Sequence, residues 1–73
     1  MVKVTQLKIE LEQEEDSRWI GEVPMLPGVM AYGKTKAAAI AAVQVLALRA
    51  MADRLEHDKA VPEELLHVSF IMA

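Results

Sequence analysis

An α+β domain of order β-β-β-α-β, one helix packed on a mixed four-stranded sheet, is what this sequence predicts, and three observations carry that reading. Leu7, Ile9 and Leu11 alternate with Lys8, Glu10 and Glu12, the period of a strand with one apolar and one charged face. From Lys36 to about His57 there is neither proline nor glycine, and alanine abounds, the composition of a long helix. Val68, Phe70 and Met72 then alternate with His67 and Ser69, a last strand. The 73 residues make one domain, 1–73, without repeat, linker or second unit. Three meandering strands are antiparallel neighbours, and the helix returns the chain for a fourth. The result is a two-layer domain whose other sheet face is solvated or used in an interface.

The first strand is expected over Val2 to Glu12. Val2 and Val4 sit out of phase with Leu7, which a bulge near Thr5 and Gln6, or a second covered face, would explain. Gln13 to Ser17 is polar and fits a hairpin loop. Arg18 to Val23 resumes alternation, with Trp19 and Val23 on one side and Ile20 and Glu22 on the other. Pro24-Met25-Leu26-Pro27-Gly28 is a tight corner, since proline fixes φ twice and glycine permits a positive φ. A short third strand fits Val29 to Tyr32, ended by Gly33. Thr35 is a good N-cap. At 100° per residue, Ile40, Ala47, Leu48, Met51 and Leu55 form one stripe, with Arg49, Asp53 and Glu56 away from it. Val45 and Leu46 fall outside that stripe and are read as a self-association surface. Asp58 to Glu64 connects to the last strand, Leu66 to Met72.

Composition narrows the function classes. A domain this short buries only about 60% of its unfolded surface, and small domains recover stability through disulfides, a metal or an oligomer. There is no cysteine, which removes disulfides and the best structural zinc ligand. With 53% hydrophobic residues the chain is not disordered, and the surplus points to a homo-oligomer. The net charge of −3 disfavours direct nucleic-acid binding. The N-terminus has no signal-peptide pattern, and the longest apolar run, Ala37 to Val43, is too short to cross a membrane; the expected location is the cytoplasm.

No catalytic constellation emerges, and no enzyme activity or cofactor is expected. His57 and His67 lack a matching ligand set. Ser17 and Ser69 have no nucleophile-elbow surroundings. Gly28 and Gly33 are not spaced as a dinucleotide fingerprint. The acidic cluster Glu10, Glu12, Glu14, Glu15 and Asp16 contains no compensating base. It reads equally as a surface for a basic partner and as a charged edge that resists strand-to-strand aggregation. Trp19, the only tryptophan, is read as a core anchor, and most of the five methionines, Met51 and Met72 among them, as core packing.

The stretch from Glu15 through Val43 resembles the HicB-like antitoxin family, the partner proteins of HicA-type toxins. The likeness sits in Asp16-Ser17-Arg18-Trp19, in Glu22-Val23-Pro24-Met25-Leu26-Pro27-Gly28, and in Tyr32-Gly33-Lys34-Thr35 running into the helix at Ala39-Ile40. A leucine between two prolines, then glycine, then a glycine-x-threonine helix start is specific in combination. Trp19, Pro24, Leu26, Pro27, Gly28, Gly33 and Thr35 are the motif positions, read as fold-makers.

The resemblance implies a truncated RNase H-like fold without that enzyme's working metal site, and a protein that binds and inhibits a small RNA-cleaving toxin by occlusion. The sequence departs from the pattern at Ala37 and Ala38, where the family often has glutamates, and at Ala42, where asparagine is common. No DNA-reading segment follows the fourth strand in these 73 residues, so a DNA-binding role is not expected. The competing expectation is an orphan homo-oligomeric HicB-like scaffold of regulatory or unknown role without a toxin partner.

Overall fold

The computed structural model describes residues 5–58 and 68–73. Over them the chain is an α+β domain with a single helix on a mixed four-stranded sheet. Strands β1 (Thr5–Gln13), β2 (Trp19–Glu22) and β3 (Met30–Gly33) form an antiparallel meander. Helix α1 (Lys36–Asp58) leads to β4 (Val68–Met72), which lies parallel to β1. The sheet order is therefore β3-β2-β1-β4, and the helix links its two edge strands. Pairing of β1 with β4 runs without interruption from Thr5↔Val68 to Ile9↔Met72. Of the two explanations for the phase of Val2 and Val4, the bulge near Thr5 and Gln6 is absent from the β1–β4 ladder; Val2, Val4, Leu66 and His67 lie outside the described residues.

Local chemistry explains the connections. In the β1–β2 hairpin the Ser17 amide donates to the Glu14 carbonyl and the Glu14 amide to the Arg18 carbonyl. Ser17 closes the loop with φ of 72°, the left-handed conformation that a loop of this type needs at one residue. The Pro24–Gly28 corner is two successive turns. Leu26 N–H donates to the Val23 carbonyl and Val29 N–H to the Leu26 carbonyl, so each turn has a proline second and each proline presets φ. Gly28 takes φ of 82° as third residue of the second turn, which is the type II requirement. Between the prolines, Leu26 is turned inward and packs on the core.

At the start of α1 the Ala38 amide donates to Thr35 Oγ1 at 3.1 Å, satisfying a donor that the first turn leaves open. Thr35→Ala is expected to cost about 1 kcal/mol. In a domain of this size that lowers the melting temperature by roughly 4–8 °C, which a circular-dichroism melt will read.

The core lies between α1 and the sheet and consists of Leu7, Ile9, Val23, Val29, Val43, Ala47 and Met51. Leu7 and Ile9 are almost wholly enclosed, worth roughly 1.5–3 kcal/mol each. Four helix positions at a spacing of four, Ala39, Val43, Ala47 and Met51, are buried, with Ile40, Leu46 and Ala50 packed at their sides. This corrects the expected stripe in two places. Leu48 is 53% exposed, whereas Leu46 packs against the core. Trp19 is corrected as well. It is half-buried at the sheet's rim, outside the core cluster, with Lys36 Nζ 4.9 Å from its ring centroid. Among the described methionines only Met51 is buried; Met25, Met30 and Met72 are exposed.

Candidate functional site

The strands sort their side chains between two faces by simple alternation. Leu7 and Ile9 point to the helix, so Lys8, Glu10 and Glu12 are left on the outer face. Register then decides what joins them. Glu10 stands opposite Glu22, and Glu12 opposite Ile20, which in turn faces Tyr32 on β3; Met30 faces Glu22. Glu10, Glu12, Glu14 and Glu22 thereby surround a shallow depression of about 160 Å³, floored in part by Ile20 and Met30. Neither of the two ion pairs among the described residues, Arg18–Asp16 and His57–Asp53, involves any of these four carboxylates.

The five acidic residues read from the sequence are therefore divided by the fold. Glu10, Glu12 and Glu14 share the depression, joined by Glu22, which is distant from them along the chain. Glu15 is exposed on the hairpin beside Asp16 and Arg18. Asp16 differs from the expectation of a cluster without a base. Its Oδ2 accepts from Arg18 Nε at 2.6 Å, its Oδ1 accepts from the Arg18 amide at 3.2 Å, and the Arg18 guanidinium lies 4.5 Å from the Tyr32 ring centroid. That amide first, and the guanidinium after it, hold the Asp16 carboxyl below its ordinary 3.8.

The sign of the pH effect follows. A carboxyl depressed by folding contributes to the folded hairpin above its ordinary value, and the contribution disappears as pH falls through the lowered one. Titrating the Asp16 carboxyl by NMR is expected to give a midpoint under 3.8, with the Arg18 amide resonance moving in step. A midpoint at or above the ordinary value would show that the turn does not bind the carboxylate.

The remaining candidates are scattered. His57 sits on the last turn of α1, its Nδ1 2.8 Å from the Asp53 carbonyl oxygen and 3.2 Å from Asp53 Oδ1. No group of three or more metal-capable side chains occurs among the described residues, and no helix there is long and apolar enough to cross a membrane. Val45 is 46% exposed on α1, while Leu46, paired with it in the sequence reading, points to the core. Six of the seven motif positions, all but Trp19, have structural work. Pro24, Leu26, Pro27 and Gly28 build the double turn, Gly33 receives the helix start and Thr35 caps it. What the arrangement offers chemically is an open acidic sheet face with apolar islands, suited to a basic macromolecular surface. The chain matches no family model, no curated protein and no solved structure.

Proposed function

We propose that this chain is a HicB-like, antitoxin-type binding module that neutralises a small basic RNA-cleaving toxin of the HicA type by covering its RNA-binding surface. The observation that carries the reading is the outer sheet face, where Glu10, Glu12, Glu14 and Glu22 gather around Ile20 and Met30 with no ion-pair partner among the described residues. Like charges placed opposite each other on neighbouring strands destabilise a sheet. Glu10 opposite Glu22 is thus a feature that a cationic partner would relieve. A toxin that grips RNA must be basic, so it complements this face in charge, and such complementarity speeds encounter as well as fixing register.

The Pro-Met-Leu-Pro-Gly corner and the glycine-x-threonine helix start support the same reading, as does a fourth strand parallel to the first, consistent with a truncated RNase H-like scaffold. The protein acts by occlusion and not by catalysis.

Co-expression with the product of the neighbouring gene, followed by size-exclusion chromatography with light scattering, tests this. The expected result is a stable hetero-complex and relief of the growth arrest that the neighbour causes alone. A neighbour that is neither basic nor toxic, or metal-dependent RNA cleavage by the purified chain itself, would overturn it.

A further inference from the structure

One contact on the outer sheet face is held with more restraint than an exposed position ordinarily has. Tyr32 stands opposite Ile20, which stands opposite Glu12, so its ring shares a face with the carboxylates. It is 50% exposed, with Met30 beside it at 45%. The Arg18 guanidinium lies 4.5 Å from the ring centroid. Asp16 grips the same arginine twice, its Oδ2 accepting from Nε at 2.6 Å and its Oδ1 from the backbone amide at 3.2 Å. An arginine free at a surface samples many rotamers. Here the side chain is fixed at Nε and at the plane of the guanidinium, and the ring it covers is fixed with it.

We infer that Tyr32 is the anchor residue of the partner surface, taking an apolar side chain of the basic partner against its ring, and that the Asp16–Arg18 pair braces it. Tyr32 has this role only where the outer face meets a basic protein, so the assignment rests on that reading. Tyrosine suits the task because it offers a large, rigid surface with few torsions to freeze, and such residues dominate interface energies. Charge decides what meets it. Glu12 stands next to Ile20, and Glu10 and Glu22 stand in line with Met30. Arg18, in contrast, covers Tyr32 itself and shares an open recess with Lys34, Asp16 and Ser17. A further cation over the ring would meet Arg18 and Lys34. The partner's positive charges therefore belong on the glutamates, and an apolar group belongs on Tyr32, Ile20 and Met30.

The brace accounts for an arginine on a face that receives a cationic partner. Asp16 offsets its charge, so Arg18 adds stiffness with little repulsion. Arg18 and Tyr32 are ordered when the chain folds, and binding does not have to order them again. A long side chain already held is worth roughly 2- to 12-fold in affinity. Charge complementarity alone gives the opposite outcome for Arg18→Gln. That change frees the Asp16 carboxylate and makes the face more acidic, which by charge alone tightens binding to a basic protein. The brace requires weaker binding.

The test uses the full chain and, as probe, the product of the neighbouring gene recovered with it by co-expression, with surface plasmon resonance as the readout. Tyr32→Thr keeps a residue suited to a strand and removes the ring. Its affinity is expected to fall about 100-fold, through faster dissociation that added salt does not alter. Tyr32→Phe keeps the ring and should bind as the natural chain does. Arg18→Gln is expected to dissociate about 2- to 12-fold faster, and in the Tyr32→Thr background the same change should no longer weaken binding. Far-ultraviolet dichroism should match the natural chain throughout, since Arg18 and Tyr32 are both exposed. A complex that tolerates Tyr32→Thr at the natural dissociation rate would overturn the anchor alone, and one that Arg18→Gln tightens would overturn the brace. Failure of any complex to form would overturn the partner reading itself, and the anchor with it.

Discussion

Gly33→Ala is expected to remove about 3 kcal/mol, a large share of the protein's stability. A Cβ built on Gly33 would lie 2.3 Å from the Ala39 amide nitrogen and 2.7 Å from the Ala38 carbonyl carbon. These are backbone atoms of the first turns of α1, so no flexible side chain can swing away, and the helix start must lift off β3. Overpacking of this kind costs about 3 kcal/mol, the upper end of its usual range. A domain of this length has on the order of 4–11 kcal/mol to lose. With a urea slope of roughly 1 kcal/mol per molar for so small a domain, the unfolding midpoint should fall by about 3 M. The internal comparison is Gly28→Ala. Gly28 has a positive φ but nothing within 4 Å of the added carbon, so only the conformational penalty applies, about 1–2 kcal/mol. Equal midpoints for the two variants would show that α1 does not sit so closely on the third strand.

The difference between those glycines marks how much of the fold the sequence discloses. Gly28 is legible because its role is local: the Leu26-Pro27-Gly28-Val29 turn is fixed by residues next to one another. Gly33 is legible only as the end of a strand, because its neighbour Ala39 reaches it through tertiary packing. The alternation of β1, the cap at Thr35 and the element order were readable for the same reason as Gly28. The buried face of α1 was not. A helix with alanine, valine or leucine on most sides has no polar flank to orient it, so hydrophobic periodicity placed Leu48 inside and Leu46 outside, the reverse of the packing. What orients it is the sheet. Gly21 and Gly33 leave room for Ala39 and Val43, and the helix settles where those small residues meet. Trp19 differs for a similar reason, since the scarcity of aromatic residues argues for the core while its position at the rim, under Lys36, decides otherwise.

The acidic site was half legible. Glu10, Glu12 and Glu14 could be taken from the chain as a run, but Glu22 enters only through hairpin register. Once the loop closes with Gln13 opposite Trp19, Glu22 must fall opposite Glu10. Asp16 leaves the free cluster through its contact with Arg18, a partner only two residues away. Adjacency along the chain is thus a poor guide to which carboxylates act together, and the sheet's own pairing is a better one.

That pairing gives the second large effect, in which stability and function are expected to move in opposite directions. Glu22→Lys converts a like-charge pair across β1 and β2 into an opposite-charge one. Each such cross-strand pair is worth roughly 0.2–1 kcal/mol, so the variant should melt a few degrees higher than the natural protein. The same change places a cation at the centre of the acidic depression, beside Glu10, Glu12 and Glu14. Against a basic toxin surface it both removes an attraction and adds a repulsion, and its affinity should fall by about 100-fold, the loss of a central charge contact. Part of that loss should lie in the association rate and shrink as salt is added. Melting followed by circular dichroism reads the first arm, and competition for the partner recovered by co-expression reads the second. A variant that melts lower would deny that Glu10 and Glu22 face each other. One that melts higher yet binds as well as the natural chain would keep the fold and move the toxin surface elsewhere. Both arms together would mean that the repulsion between these two glutamates is tolerated in the free protein because the partner's positive charge relieves it.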